Sequence, residues 1–515
     1  MRRRRTVALL GAGYALLASA WVMATPPGAG PDEPAHYVKA AGAGEGDLRG
    51  SLPPEDLPTG SERTSWLNRT SRRYEVPSRL SARNLPCIGP DSAAVTCTSP
   101  EARHARGVSY VGTYQPWAYV LPGLAMRPAS DAQAALRAGR AASAAVCLGL
   151  LVAAAALLWD PRTGGLSLAG LVVCATPMVV FVLSQLSGSG LEVAGTLCLA
   201  SALIHLSRDG PASRWAWLAV GVGGAAAAST RSLGPLWVLL SLGGTAWAFG
   251  ARRLWSAVRA GGRTAAAALS AVVVACAAGI WWEVSFQPHP QATLSGILRL
   301  IPRAWGQMPD AGRHAVGVFG SLDVWMGASA YIAWGLMLAI LLGVALTIGS
   351  TRERGAIILL ASAVAGIAML LAAAVILPTG FRLQGRHVLP SLVLVPLIAG
   401  EVVSRAVSRA SPSHASLGHR TARTVVPFLA FAAAALHGVG WMTNTRYGFG
   451  DSSRWHPLRS ALWAPPGGWL LWMSVAAAGC ACFAAAAITG LPSRHQLRSY
   501  QGPPTELDTL EPRPD

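Results

Sequence analysis

Residues 25–39 read TPPGAGPDEPAHYVK and place two carboxylates and an imidazole, Asp32, Glu33 and His36, close together in an otherwise acid-poor chain. Neighbouring carboxylates with an imidazole suit proton transfer, because one group can take a hydroxyl proton while the others set its pKa. Pro34 fits a first helical turn, which makes Asp32 the N-cap. Asp32 and Glu33 then stand four and three residues before His36, so all three can face one site. A carboxylate beside a second one at an apolar boundary is also expected to have a raised pKa, as a general base needs. The plainer account is a capping aspartate that pairs with His36 and does no chemistry.

The elements that must position these residues are apolar. The chain has 515 residues, 52% hydrophobic and only 13% charged, with a mean hydropathy of +0.40. A soluble protein carries about a quarter charged residues. Apolar stretches of about 20 residues recur throughout, the pattern of an all-α polytopic membrane protein. The N-terminal MRRRR followed by VALLGAGYALLASAWVMA fits a signal peptide or an uncleaved first span, and the many later spans favour the span. Twelve spans are expected, near 7–25, 134–158, 166–186, 190–206, 214–229, 233–249, 264–285, 328–348, 355–377, 387–403, 424–441 and 468–490. The stretch 214–249 reads either as two spans or as one re-entrant unit. The chain thus divides into an N-terminus and first span (1–25), a long loop with interfacial helices (26–133), a multi-span domain (134–490) and a disordered tail (491–515).

The net charge of +18 rests almost wholly on arginine, Lys39 being the one lysine. Its scatter over loops fits orientation in a bilayer better than nucleic-acid binding. The short loops on the side of the termini hold Arg2 to Arg5, Arg162, Arg208, Arg252, Arg253, Arg352, Arg354, Arg405 and Arg409. The positive-inside rule then places both termini in the cytoplasm and the 26–133 loop outside. In that loop, ERTSWLNRTSRRYEV suits a short helix at the headgroup level, or a solvated linker. Cys87 and Cys97, the two of eight cysteines outside the spans, bracket IGPDSAAVT and are expected to form a disulfide in an oxidising compartment.

This topology sorts distant polar segments onto the outer edge. They are Glu192 in SGSGLE, Arg231 in STRSLGP, Asp323 in FGSLDVW, and Arg382, Gln384, Arg386 and His387 in FRLQGRH. NTRYGFGD, with Arg446, Tyr447 and Asp451, joins them. Span midplanes hold no acidic residue, which counts against an ion-coupled transporter. Arginines at span ends commonly snorkel, but Arg231 sits in a very short turn between two apolar runs.

PPGAGPDEPAHY, TYQPWAYVLPG, TPMVVFVLSQLSGSGLEVA, STRSLGPLW, VGVFGSLDVW, LQGRHVLP and NTRYGFG follow in order over about residues 7–475. Together they resemble the domain-of-unknown-function family 2142 of bacterial multi-pass membrane proteins. One departure is LSGSGLE, where the family often has N-P-N-G-L-E. The layout is similar to the GT-C glycosyltransferases, whose first extracytoplasmic loop bears a catalytic carboxylate soon after the first span. The resemblance implies an inverting glycosyltransferase of the plasma membrane, with a polyprenyl-phosphate sugar as donor and an envelope glycan or lipid as acceptor. Asp32 matches the base and Glu33 its neighbour. Guanidinium groups fork onto phosphate oxygens, so Arg231, Arg386 and His387, then Arg382, are expected at the leaving phosphate. His36, Gln384, Glu192 and Asp323 complete the expected substrate-binding set. No cofactor is required; a divalent cation at Asp32 and Glu33 is a further option, although spacing shows no additional oxygen ligands. The alternative is a non-catalytic membrane protein for transport or assembly of envelope polysaccharide.

Overall fold

Inside a bilayer every backbone polar group must be satisfied within the chain, so long apolar runs fold as helices. The computed structural model describes residues 2–53, 60–87, 95–96, 107–208, 213–290, 293–409, 412–446 and 463–491. It begins with α1 (Arg2–Ala24), α2 (Glu33–Gly44), α3 (Glu62–Thr70), α4 (Trp117–Met126), α5 (Ala132–Leu158), α6 (Ala169–Cys174) and α7 (Pro177–Leu183). Next come α8 (Gly188–Leu206), α9 (Arg214–Ala228), α10 (Gly234–Phe249), α11 (Ala251–Phe286), α12 (Leu294–Gly306) and α13 (Met308–Gly317). The last six are α14 (Ala328–Ile348), α15 (Thr351–Leu371), α16 (Leu389–Leu392), α17 (Leu394–Arg409), α18 (Pro412–Thr445) and α19 (Gly468–Gly490).

Among the described residues nine helices are long and apolar enough to cross a membrane, or ten if a pair bent by 74° counts as one span. Twelve spans were too many for two physical reasons. The expected span 166–186 breaks at Pro177, where Thr176 leaves the helical region and its hydroxyl caps the next helix at Val179 N, 3.2 Å away. The expected spans 214–229 and 233–249 are helices of 15 and 16 residues. At 1.5 Å per residue they are about 22 and about 24 Å long, short of a hydrocarbon core of about 30 Å.

The membrane domain packs around α8, which is apolar on all sides and almost wholly buried. Lipid tails are as apolar as leucine, so helices gain by close backbone approach at small residues. A Cβ on Gly400 of α17 would stand 2.5 Å from Gly170 N of α6, and one on Gly195 of α8 would meet Gly223 O of α9 at 2.8 Å. Val273, Ile332 and Leu359 are exposed on the outer helices, as lipid-facing side chains are.

The long loop forms a cap on one end of this bundle. Its core joins Tyr37 and Val38 of α2, Tyr74 and Leu80 of the following segment, Tyr119 of α4 and Leu136 of α5. Strand β1 (Arg72–Arg73) pairs antiparallel with β4 (Val108–Ser109). Between them β2 (Pro86–Cys87) pairs with β3 (Val95–Thr96), setting Cys87 opposite Val95. Cys97 and the expected disulfide lie outside the described residues, as do Tyr447, Asp451 and the tail from 492. The segment read as an interfacial helix forms α3, N-capped by Ser61, whose Oγ accepts from Thr64 N at 3.3 Å.

Candidate active site

The chain leaves α1 at Ala24, turns back through Pro26 and Pro31, and enters α2 at Asp32. Asp32 does occupy the N-cap, but with a left-handed backbone (φ 56, ψ 17) and no side-chain capping bond. Aspartate tolerates this region better than most residues. Its carboxylate is thereby released from the helix. It forms an ion pair with Arg386 Nη2 and accepts from Tyr110 Oη at 3.0 Å.

Arg386 is buried in the Gly385–His387 turn. Its Nε donates to Gln384 Oε1 at 2.7 Å and its Nη1 to Pro31 O at 3.4 Å. FRLQGRH is thus bound to PDEPAH by backbone and side chain. Burial alone would raise the Asp32 pKa, but the charge of Arg386, then His36 and the hydrogen bonds from Arg386 and Tyr110, hold it well below the usual carboxylate range. The expected raised pKa is therefore reversed, since a guanidinium and not Glu33 is the close neighbour.

Glu33 points away from this site. Its carboxylate is fully buried and bound by Arg140 through Nε at 2.7 Å and Nη2 at 2.5 Å. It also accepts from Gly28 N at 3.1 Å and Gly30 N at 3.4 Å. Arg140, in α5, donates further to the carbonyls of Val22, Thr25 and Pro26 at 3.0, 2.7 and 3.0 Å. A buried guanidinium must be neutralised and its donors filled, and this clamp does both while fixing the turn between α1 and α2. The expectation of two carboxylates facing one site is corrected on this ground: Glu33 is a structural partner.

His36 is buried beneath Asp32 and off the cavity wall, its Nδ1 2.8 Å from Tyr119 Oη and its ring stacked on that of Tyr119. Burial pushes its imidazole down to about 3, against the pull of Asp32 and with the help of Arg386 and Arg231. It supports the site in the neutral state. Lys39, one turn on, is also buried and donates to Gly112 O and Tyr114 O at 2.6 and 2.5 Å. It ties α2 to the segment that carries Tyr110 and Tyr114.

Asp32 opens onto a cavity of about 600 Å³. Arg231, Glu192, Arg382, Gln384, Arg386 and His387 line the same space. Arg231 donates to Ser189 Oγ at 2.9 Å and to Tyr114 Oη at 3.4 Å, with its guanidinium over the Tyr114 ring. Glu192 accepts from Trp237 Nε1 at 2.7 Å. His387 Nδ1 is buried with no hydrogen-bond partner among the described residues, and burial, then Arg231 and Arg386, push its pKa well down. Arg382 is exposed on the wall. Asp323 is corrected: it stands in the turn between β5 (Val318–Phe319) and β6 (Val324–Trp325), exposed, while its neighbours Ser321 and Leu322 reach the cavity. The opposite wall is apolar, with Leu371, Val375 and Ile376.

Trp66, Tyr110, Tyr114 and Glu283 are among the lining residues that the sequence reading did not assign to the site. Tyr114 was within reach, because TYQPWAY is one of the segments that carry the family resemblance. Trp66 and Leu67 of α3 face this cavity, so that helix is more than a headgroup anchor. A cation held by Asp32 together with Glu33 does not fit, because Arg140 occupies the Glu33 carboxylate. Among the described residues no three His, Cys, Asp or Glu side chains group in a way that could hold a metal ion.

Fold and site together define a multi-pass helical membrane protein with a polar, arginine-bearing cavity where its helices end. The chain belongs to the family described as Predicted membrane protein (DUF2142), which it matches over residues 16–395. No curated protein matches it. Among solved structures it is similar to ArnT from Cupriavidus metallidurans bound to undecaprenyl phosphate, at 12% identity and a TM-score of 0.39, over 94% of this chain and 76% of that one. The apo state of the same protein gives 11% identity and a TM-score of 0.41 over the same shares.

Proposed function

We propose that this protein is a GT-C-like, inverting glycosyltransferase that moves a sugar from a polyprenyl phosphate to an envelope acceptor, a glycan or a lipid. It works at the extracytoplasmic edge of the plasma membrane, with both termini in the cytoplasm. The observation that carries this reading is the meeting of Asp32, Arg386, Arg231 and His387 in one cavity with an apolar far wall. Such a space accepts a phosphate beside the guanidiniums and a hydrocarbon chain against Leu371, Val375 and Ile376.

Asp32 takes the proton of the acceptor hydroxyl as that oxygen bonds to the anomeric carbon. The bond from that carbon to the phosphate oxygen breaks, and polyprenyl phosphate leaves with the electron pair. Arg386 and Arg231 balance the charge growing on the phosphate. In the resting site Arg386 holds Asp32 too acidic to be an effective base. A donor phosphate competes for that guanidinium, and its arrival raises the carboxylate's basicity where the acceptor binds. No step here uses a metal ion.

Membrane vesicles supplied with radiolabelled polyprenyl-phosphate sugars test this. Wild type should transfer label to envelope material, and Asp32→Asn should not, at equal expression. The ion pair of Asp32 with Arg386 also fits a second reading, in which the carboxylate only fastens the cap to the bundle of a non-catalytic protein for polysaccharide transport or assembly. Function unchanged in Asp32→Asn selects that reading.

A further inference from the structure

The arginine-rich end of the bundle holds a second and larger cavity, of about 940 Å³. Four helices run between the two spaces. α8 starts at Ser189 and Glu192 and ends at His205 and Leu206. α10 follows Arg231 and ends at Phe249; α15 runs the other way, from Arg352 to Leu371; α17 follows the Arg386 turn and ends at Arg409. The cavities therefore lie at opposite ends of the same helices. α8, with 19 residues, sets them apart by about 28 Å, close to the thickness of a hydrocarbon core.

Seven guanidiniums line this hollow. Their contacts with the fold include those of Arg208, Arg405, Arg352 and Arg409. Arg208 and Arg405 share the buried Glu401, at 2.9 and 2.7 Å from its Oε1, and Arg208 also donates to Leu158 O at 2.8 Å. Arg352 donates to Ala246 O at 3.0 Å, and Arg409 to Glu353 at 2.9 Å. These contacts close the C-terminal carbonyls of α5 and α10, where cations are favoured. Bonds to carbonyls leave the charge in place, however. Against Asp160, Glu353 and Glu401 the hollow keeps four positive charges in excess, with Arg162 and Arg252 exposed on its wall.

Orienting the chain would require arginines only on the loops of this side. Here arginines from five separated segments converge on one concave space, beside the apolar faces of Trp159, Leu206 and Phe249. A concave cationic wall concentrates its field, and forked guanidinium donors match phosphate oxygens. We propose that this cavity binds the phosphoryl headgroup of an anionic membrane lipid, with the acyl chains running along the bundle. The site is independent of any chemistry at Asp32.

The test uses the full-length protein in lipid nanodiscs, with retention of phosphatidylglycerol and phosphatidylcholine read by native mass spectrometry. Wild type should retain phosphatidylglycerol preferentially. Each arginine near an anionic headgroup contributes a few-fold in affinity, so Arg162→Gln with Arg252→Gln should lower that retention by about thirtyfold. Arg162→Glu with Arg252→Glu should abolish the preference. Arg127→Gln, at the other end of the helices, should leave it intact. Inorganic pyrophosphate is the soluble probe. Equal retention of the two lipids, or a preference that survives both double variants, overturns the proposal. Pyrophosphate binding without a lipid preference overturns the lipid assignment and gives the site to a soluble phosphate compound.

Discussion

The Asp32 carboxylate and the Arg386 guanidinium form an ion pair across 354 residues of sequence, where the cap meets the helical bundle. The same arginine holds Pro31 O and Gln384, so one side chain fixes both the position and the protonation state of the carboxylate.

Replacing that arginine should have a pH signature. In wild type the depressed pKa of Asp32 contributes stability above its unfolded value, about 3.9, and the contribution is lost as the pH falls through the folded value. Arg386→Gln removes it. The melting temperature in detergent should therefore fall near neutral pH, and the gap to wild type should close in acid below about pH 4. A gap independent of pH would show that Arg386 acts through packing alone.

On the proposed mechanism the Asp32→Asn protein should keep its fold and lose transfer by a factor of about 10² to 10⁴, the usual contribution of a general base. Initial rates with the labelled donor, beside melting curves of the same preparations, separate the two effects.

Arg140→Met should be far more damaging to stability than Asp32→Asn. It strands the buried Glu33 carboxylate, and breaking one side of such a pair costs about 3–5 kcal/mol. Arg140→Met with Glu33→Gln should recover part of that loss. Thermal or denaturant unfolding in a fixed detergent measures both.

His36 predicts an acid limb of its own. It is held neutral down to about pH 3, while in the unfolded chain it protonates near 6.5. Between those values the unfolded state binds more protons, so stability falls by about 1.4 kcal/mol per pH unit as the pH drops. His387, also pushed well down, adds to the wild-type slope. His36→Phe should remove one group's share of it.

Gly44→Ala and Gly123→Ala probe the crossing of α2 and α4. Each new Cβ would stand 2.4 or 2.2 Å from a backbone carbonyl, Gly123 O or Ala40 O. Backbone cannot swing aside as a side chain does, so each change should cost about 1–3 kcal/mol. The pair together should cost less than the sum, because both report one separation.

Much of this was legible in the sequence. Apolar runs located the helices, and the polar segments assigned to one edge, PDEPAH, SGSGLE, STRSLG and FRLQGRH, do meet around one cavity. Length was the weak point: α10 is apolar but ends early, α9 is one residue shorter, and Pro177 bends what composition reads as one run. The fate of Glu33 was hidden because its partner is 107 residues away. A signal existed nonetheless: Arg140 stands inside an apolar stretch, and a charge there requires a counter-charge. The second cavity was missed for a related reason. Arginines expected on one side for topological reasons carry no sign that they surround a hollow, which only packing reveals.

The left-handed backbone at Asp32 decides which replacements there can be interpreted. Asparagine shares the aspartate's ease in that conformation, whereas alanine or glutamate would pay about 1–2 kcal/mol and drag the first turn of α2 with it. Glycine would relax the turn and delete the functional group at once. A bend of this kind favours Asp, Asn and Gly at position 32, so the replacements that keep its shape are the ones that remove its charge.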